Sequence, residues 1–145
     1  MILKKVGESL LALAIGLLCA YGLLCAYAAL MGDRFLFSSE PTTYSFKPAY
    51  FSVDSRIGDT ITMLHLENPD ARYTILYSHG NLEDIGFIRP RMEIFRKEGF
   101  SVLSYDYPGF GTSSGKKTEE GVFAAAEAAY NYLTQVKQIP PERII

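Results

Sequence analysis

The order of short elements between residues 73 and 115 constrains the fold more than any other part of the chain. Residues 73–78 form an apolar run rich in β-formers, followed by a glycine turn and a helical segment that ends at Gly99. A second apolar run, residues 101–105, leads into a glycine-rich loop. A strand–helix–strand unit of this length makes a parallel pair with a right-handed crossover. The sequence therefore predicts an α/β fold whose ligand site lies beyond the carboxyl ends of these strands.

Two motifs stand at the ends of the predicted strands. Residues 77–81 read Tyr-Ser-His-Gly-Asn, and residues 105–115 read Tyr-Asp-Tyr-Pro-Gly-Phe-Gly-Thr-Ser-Ser-Gly. At this spacing they resemble the α/β-hydrolase superfamily, more narrowly its membrane-anchored, serine aminopeptidase-like (abhydrolase-domain) branch, over residues 35–145. The resemblance implies the N-terminal portion of an α/β-hydrolase fold, a mostly parallel sheet with flanking helices. It also implies that residues 144–145 begin the strand that pairs with strand 73–78 and carries the nucleophile elbow beyond Ile145.

The turn at residues 79–82 follows the first strand of the pair, where the superfamily places an oxyanion hole. Acyl transfer builds negative charge on the carbonyl oxygen, and fixed backbone N–H donors stabilise that charge. The resemblance gives this role to the N–H groups of Asn81 or Leu82, with His79 and Gly80 supporting the turn. Gly80 has no Cβ, so the backbone can approach a substrate closely. The alternative is that these residues form only a tight turn.

Ser113 lies between two glycines and fits the letters Gly-x-Ser-x-Gly. A nucleophile elbow needs a strand that enters the first glycine and a helix that leaves the last one. Here residues 108–110 separate the predicted strand from Gly111, and two lysines follow Gly115. We therefore predict no catalytic residue in this chain. The resemblance implies that the nucleophile, the catalytic acid and the catalytic histidine all come after residue 145.

Asp106 and His65 are the other two polar residues that could carry chemistry, and both are predicted to be structural. Asp106 follows the strand at 101–105 and can accept hydrogen bonds from N–H groups of its loop. The superfamily's catalytic acid comes from a later strand. His65 belongs to a predicted strand, residues 60–66, and is expected to lie away from the loops at the carboxyl ends.

Two helices are predicted to cover the sheet. The first has Pro90 in its first turn, where proline is favoured, and ends at Gly99 as the C′ residue. The second begins after an N-cap at Thr118. Its apolar stripe is expected to pack on the sheet and consists of Val122, Ala126, Ala129, Leu133 and Val136.

An uncharged apolar run occupies residues 10–31 and follows two lysines. As a helix with a rise of about 1.5 Å per residue it spans about 33 Å, enough for a hydrocarbon core of about 30 Å. We predict a retained bilayer anchor over residues 1–34, with a cleaved signal peptide as the alternative. The lysines place the N-terminus in the cytoplasm and the hydrolase portion on the outer side. Residues 35–48 are expected to be a juxtamembrane linker, and residues 49–145 a truncated hydrolase domain.

The composition limits the partners and cofactors of the chain. The net charge is -2 and the basic residues are scattered among acids, which argues against nucleic-acid binding. Both cysteines lie in the apolar run, so no disulfide staples the domain. The sequence has no phosphate loop, dinucleotide fingerprint or metal-ligand cluster, and we expect no cofactor and no metal.

Two function classes remain. The first is the N-terminal part of a membrane-anchored serine hydrolase that cleaves an ester, thioester or amide of a small-molecule or acyl substrate through an acyl-enzyme. The second is a non-catalytic, membrane-tethered remnant or binding module. The residues that follow Ile145 discriminate between them.

Overall fold

The computed structural model describes residues 2–38, 40–45 and 47–145 and divides the chain into two units. The first unit is helix α1, Ile2–Leu36. Its segment Lys5–Asp33 is long and apolar enough to cross a membrane, by length and composition. Signal sequences share both properties, so the helix agrees with either prediction for this segment. The second unit is Phe37–Ile145.

The second unit is built on a mixed sheet. Its described strands are β1 (Tyr50–Asp54), β2 (Thr60–Leu66), β3 (Thr74–Ser78) and β4 (Ser101–Tyr105), in the order β1-β2-β4-β3. The β1–β2 and β2–β4 pairs are antiparallel, whereas β3 and β4 are parallel, which confirms the predicted strand–helix–strand unit. On the other side of β3, Thr74 forms a parallel bridge with Ile144. The resemblance had implied a neighbouring strand at this place.

Helices cover both faces of the sheet, because successive side chains of a strand point to opposite faces. On one face α3 (Glu119–Asn131) packs over Ile61, Met63, Leu103 and Tyr105. On the other face α2 (Ile85–Lys97) packs over Leu64, Leu66 and Val102. A strand buried on both faces needs no polar side, which explains why β2 lacks a clean alternation of polar and apolar residues.

Helix α2 begins earlier than the sequence predicted. Pro90 lies inside the helix rather than in its first turn, so that expectation was wrong. The helix starts after Asp84, whose side chain accepts the N–H of Phe87 at 2.8 Å and caps the first turn. The predicted end is confirmed: Gly99 has φ +97, and the N–H of Phe100 returns to the carbonyl of Phe95.

Helix α3 begins as predicted but buries a different set of side chains. The side chain of Thr118 accepts the N–H of Gly121 at 3.0 Å and caps the helix. The buried positions are Ala124, Ala125, Ala128, Ala129 and Leu133. Val136 is 68% exposed, so its assignment to the packing stripe was wrong. A π-helical turn, Tyr132–Val136, follows α3 and has more residues per turn, which changes the phase of the stripe.

His65 is placed in β2 with its side chain buried, as the sequence predicted for a structural residue. Its ring contacts Tyr132 edge-on, with 5.8 Å between centroids, and neither ring nitrogen has a hydrogen-bond partner among the described residues. Nδ1 lies 3.6 Å from a carboxylate oxygen of Glu67, which pairs with Lys137. Burial lowers the pKa of His65 to about 4; the Glu67 carboxylate opposes this shift and Lys137 adds to it.

The stability of the chain should fall as the pH decreases from about 6.5 towards 4. Unfolded His65 ionises near its ordinary pKa of 6.5 and the folded residue near 4, so the unfolded state binds the extra proton over this interval. The loss amounts to as much as about 3 kcal/mol of unfolding free energy. Urea titrations of the intact chain in detergent, followed by tyrosine near-ultraviolet circular dichroism at several pH values, measure it.

The matched variant for this experiment is His65→Leu, which removes the titrating group from apolar surroundings. Its unfolding free energy should change much less between pH 6.5 and 4 than that of the parent chain. Equal pH dependence in the two proteins would assign the effect to other groups.

Candidate functional site

The two predicted motifs lie at the same edge of the sheet. β3 and β4 run parallel, with Ser78 opposite Tyr105, so the turn at 79–82 and the loop at 106–115 leave the sheet side by side. The Tyr105 and Ser78 hydroxyls are 2.7 Å apart, and the Tyr107 hydroxyl donates to the His79 carbonyl at 3.0 Å. Burial raises the pKa of Tyr105 to about 12, so this phenol stays neutral. These bonds join the two motifs into one site.

Asp106 is fully buried between the two motifs. Its Oδ1 accepts the N–H of Ile85, the first residue of α2, at 2.8 Å. Its Oδ2 accepts the hydroxyl of Tyr44, which comes from the segment before β1. Asp106 is therefore a structural acceptor, as predicted, but its donors come from α2 and from the segment before β1. The sequence had predicted donors from N–H groups of the loop that follows Asp106. Among the described residues the hydrogen-bond donors are Ile85 and Tyr44 instead.

His79 packs inside the site. Its Nδ1 lies 2.9 Å from the carbonyl oxygen of Gly80, which can only accept, so Nδ1 carries the proton of this hydrogen bond. Its Nε2 is 3.4 Å from Oδ1 of Asp106 and has no hydrogen-bond partner among the described residues. The ring contacts Tyr107 and Phe110, with centroid distances of 4.6 and 5.6 Å. The ring of His79 thus packs between the turn and the loop at 106–115.

The turn at 80–83 is closed by its own hydrogen bonds. The Gly80 N–H donates to the Glu83 carboxylate at 2.8 Å, and the Glu83 N–H donates back to the Gly80 carbonyl at 3.3 Å. The bond from Gly80 lowers the pKa of Glu83; burial opposes the shift, and Arg91 at 3.3 Å adds to it. A Cβ on Gly80 would lie 3.2 Å from a Glu83 carboxylate oxygen. A larger side chain would therefore displace the group that holds the turn.

The predicted oxyanion donors are positioned by this turn. Leu82 adopts φ +67, a left-handed conformation that is uncommon for a residue with a side chain. Its N–H donates to the carbonyl of Ser38 at 3.3 Å, and the Asn81 side chain accepts the N–H of Ser38 at 3.0 Å. The assignment of Asn81 or Leu82 as oxyanion donors stays a prediction.

Ser113 holds the glycine-rich loop against the sheet. Its hydroxyl accepts the N–H of Thr62 at 2.9 Å and donates to the carbonyl of Asp106 at 2.9 Å. The side chain is buried and both of these bonds keep it in place. This structural role agrees with the prediction that Ser113 is not the nucleophile, which an experiment below tests.

Within the loop at 106–115, the site requires glycine at position 111. Its φ is +49, and a Cβ there would lie 1.8 Å from Oδ2 of Asp106 and 2.9 Å from the Tyr44 hydroxyl. The backbone must pass this close for the carboxylate and the phenol to meet. Gly109 and Gly115 of the same loop also have positive φ values.

Sequence reasoning missed the residues that the segment before β1 brings to the site. Asp84 accepts hydrogen bonds from Thr43 N–H at 2.7 Å, from the Thr43 hydroxyl and from Phe87 N–H. Burial raises the pKa of Asp84, but these bonds outweigh it and hold the pKa below its usual value. An aspartate just before an apolar helical stripe is an N-cap signal that could have revealed Asp84. No local pattern marks Thr43 or Tyr44.

His65 is not brought to the site, since the β2–β4 register places it opposite Leu103 within the sheet. Among the described residues, no three histidine, cysteine or acidic side chains are grouped so that they could hold a metal ion.

Removing the Asp106 carboxylate should destabilise the fold strongly. Asp106→Ala leaves the buried N–H of Ile85 without its acceptor, which costs about 1–3 kcal/mol, and opens a cavity where the carboxylate was, whereas the Tyr44 hydroxyl keeps its contact with Thr112. Asp106→Asn keeps one acceptor oxygen in place and should lose less. Urea unfolding of the intact chain in detergent measures both variants, and an Asp106→Ala protein as stable as the parent would contradict this role.

The chain has relatives in sequence. It is 40% identical over 79 residues to human alpha/beta hydrolase domain-containing protein 17B, an alignment that covers 54% of this chain and 27% of the relative. It is 39% identical over 79 residues to protein 17C of Xenopus tropicalis, covering 54% and 26%. The chain thus spans about a quarter of the length of these curated relatives. No family model matches the sequence.

Solved structures resemble the fold. The Pyrococcus furiosus esterase Pf2001 superimposes with a TM-score of 0.58 at 20% identity, over 75% of this chain and 44% of the esterase. An alpha-beta hydrolase from Vibrio vulnificus gives a TM-score of 0.54 at 18% identity, over 67% and 34%. At these identities the likeness concerns the fold. The predicted resemblance to the α/β-hydrolase superfamily is confirmed, and the partial coverage fits the N-terminal part of that fold.

Proposed function

Because the chain has the fold and the two motifs of the N-terminal part of an α/β-hydrolase, we propose that it belongs to a membrane-anchored serine hydrolase. The reaction is the cleavage of an ester, thioester or amide of a small-molecule or acyl substrate through an acyl-enzyme. The observation that carries the proposal is the juxtaposition of the turn at 79–82 with the loop at 106–115 beyond the carboxyl ends of β3 and β4.

In this proposal the turn supplies the oxyanion donors. N–H groups of Asn81 or Leu82 stabilise the negative charge that develops on the acyl oxygen, and they need to be fixed before the reaction to do so. The Gly80–Glu83 bonds and the packed ring of His79 fix the turn from two sides. Asp106 binds the N–H of Ile85 and so ties the start of α2 to the same site.

The nucleophile is expected on the strand next to β3. Ile145 donates its N–H to Thr74 and accepts the N–H of Leu76, both within 2.9 Å, so the chain enters a parallel pairing with β3 here. A strand that continued in this direction would end at the same edge as the turn at 79–82. A Gly-x-Ser-x-Gly elbow at that end would place a serine hydroxyl beside the oxyanion donors.

The membrane part of the proposal depends on helix α1. Residues 10–31 would span the bilayer, with the lysines at the N-terminal side in the cytoplasm and the hydrolase portion on the outer side. Such an anchor would keep the enzyme near acyl substrates held at the membrane.

A serine-directed fluorophosphonate probe tests the catalytic proposal. The 145-residue chain should not react, whereas a chain extended by the coding sequence that follows Ile145 should. In the extended protein, Ser113→Ala should leave labelling intact. Gly80→Val should slow it by about 10²–10³, the usual cost of one oxyanion donor. Circular dichroism checks that each variant is folded.

Two outcomes would contradict the proposal. Labelling of the 145-residue chain that disappears in Ser113→Ala would make Ser113 the nucleophile. A folded extended protein that never reacts would favour the alternative, a non-catalytic, membrane-tethered binding module.

The anchor is tested separately. The intact chain, expressed from Met1, should remain in the membrane fraction after a carbonate wash. A helix long enough to span the bilayer is not released by high pH. A chain found in the soluble fraction, or one whose N-terminus begins near Ala29, would show that the first helix is a cleaved signal peptide.

A further inference from the structure

Four residues of the segment before β1 cross the candidate site; we call Ser38, Thr42, Thr43 and Tyr44 the strap. At one end of the strap, the Ser38 peptide groups bond the predicted oxyanion turn. Ser38 donates its N–H to the Asn81 side chain at 3.0 Å, and its carbonyl accepts the Leu82 N–H at 3.3 Å. Both bonds lie at the protein surface, since Asn81 and Leu82 are exposed.

The other end of the strap is held more firmly. Thr43 bonds the Asp84 carboxylate through its N–H, at 2.7 Å, and through its hydroxyl. The Tyr44 hydroxyl donates to the buried carboxylate of Asp106, and the Tyr44 ring stacks on Tyr50 with 4.5 Å between centroids.

Gly86 allows the strap to lie directly on α2. A Cβ on Gly86 would come within 2.7 Å of the Thr43 hydroxyl and of Tyr44 Cβ. The position needs no left-handed backbone, so the glycine serves the close approach of the strap and not the local conformation.

The chemistry at Leu82 matches that of a substrate. A peptide carbonyl oxygen accepts the Leu82 N–H, and the acyl oxygen of an ester or amide would accept the same N–H in an oxyanion hole. One N–H group cannot serve both oxygens well, so a substrate must displace Ser38 to use this donor.

We propose that the strap closes the oxyanion turn, with Thr43 and Tyr44 as the fixed end and Ser38 as the end that opens for substrate. The proposal rests on the proposed hydrolase function, in which Leu82 is an oxyanion donor. Only molecules in which Ser38 has left Leu82 can bind substrate at this donor. The apparent affinity for substrate is therefore the intrinsic affinity multiplied by the open fraction. The segment that joins α1 to the sheet thereby regulates access to the site.

Hydrogen exchange tests whether the strap covers Leu82. The intact chain is studied in lipid nanodiscs by nuclear magnetic resonance, with the β4 amide of Leu103 as internal reference. Two variants loosen the strap: Gly86→Ala, whose methyl group pushes Thr43 and Tyr44 away, and Ser38→Pro, which removes the N–H that binds Asn81. Gly22→Ala, in α1, where an added Cβ would meet nothing within 4 Å, is the matched control.

Both strap variants should accelerate exchange at Leu82 by about tenfold or more, because a local opening exposes this amide without unfolding the sheet. The Leu103 amide, and Leu82 in Gly22→Ala, should exchange at the parent rate. A Leu82 amide that exchanges as fast in the parent chain as in the variants would overturn the strap as a cover.

Hydrolysis of a p-nitrophenyl acyl ester by the extended protein tests the gating role. Ser38→Pro, which leaves the Tyr44–Asp106 bond in place, should lower KM, roughly threefold or more, with little change in kcat, since closure reduces the competent fraction. A loss of kcat with unchanged KM would show instead that the strap positions the turn and would overturn gating. An extended protein that never reacts with the fluorophosphonate probe would reject the hydrolase function and gating with it, while the exchange result would still decide whether the strap covers Leu82.

Discussion

The buried carboxylate of Asp106 is the interaction on which the site depends. It joins parts of the chain that are distant in sequence, because it accepts hydrogen bonds from Tyr44 before β1 and from Ile85 at the start of α2, and the ring of His79 lies beside it with Nε2 3.4 Å from Oδ1. A buried carboxylate is costly unless donors satisfy it, so these contacts must form together. Gly111 is required at its position for the same reason, since any Cβ there would overlap the carboxylate.

The sheet explains why two loops far apart in sequence can form one site. β3 and β4 are parallel neighbours, so both of their carboxyl ends lie at one edge, and helices α2 and α3 cover the two faces. The alanines of α3 allow this helix to approach one face closely. The remaining freedom is at the edge, where glycine-rich turns can present backbone N–H groups to a ligand.

The segment between α1 and β1 is part of the site and more than a connection. Residues 35–48 were expected to be a linker. Within them, Thr43 and Tyr44 donate hydrogen bonds to the buried carboxylates of Asp84 and Asp106, and Ser38 bonds the turn at 79–82. The segment is held by exposed hydrogen bonds at Ser38 and by a bond to a buried carboxylate at Tyr44. In the proposed gate, the Ser38 end therefore opens while the Tyr44 end stays in place.

The sequence by itself determined strands β2, β3 and β4, the helix caps at Thr118 and Gly99, and the edge at which the two motifs meet. These features follow from local patterns: β-forming runs, capping residues and glycines that accept positive φ. Only the tertiary structure decided the partners of Asp106, the contacts of Thr43 with Asp84 and the contact of Ser38 with Leu82. Each of these depends on residues that lie tens of positions apart, and burial brings them together only once both faces of the sheet are covered.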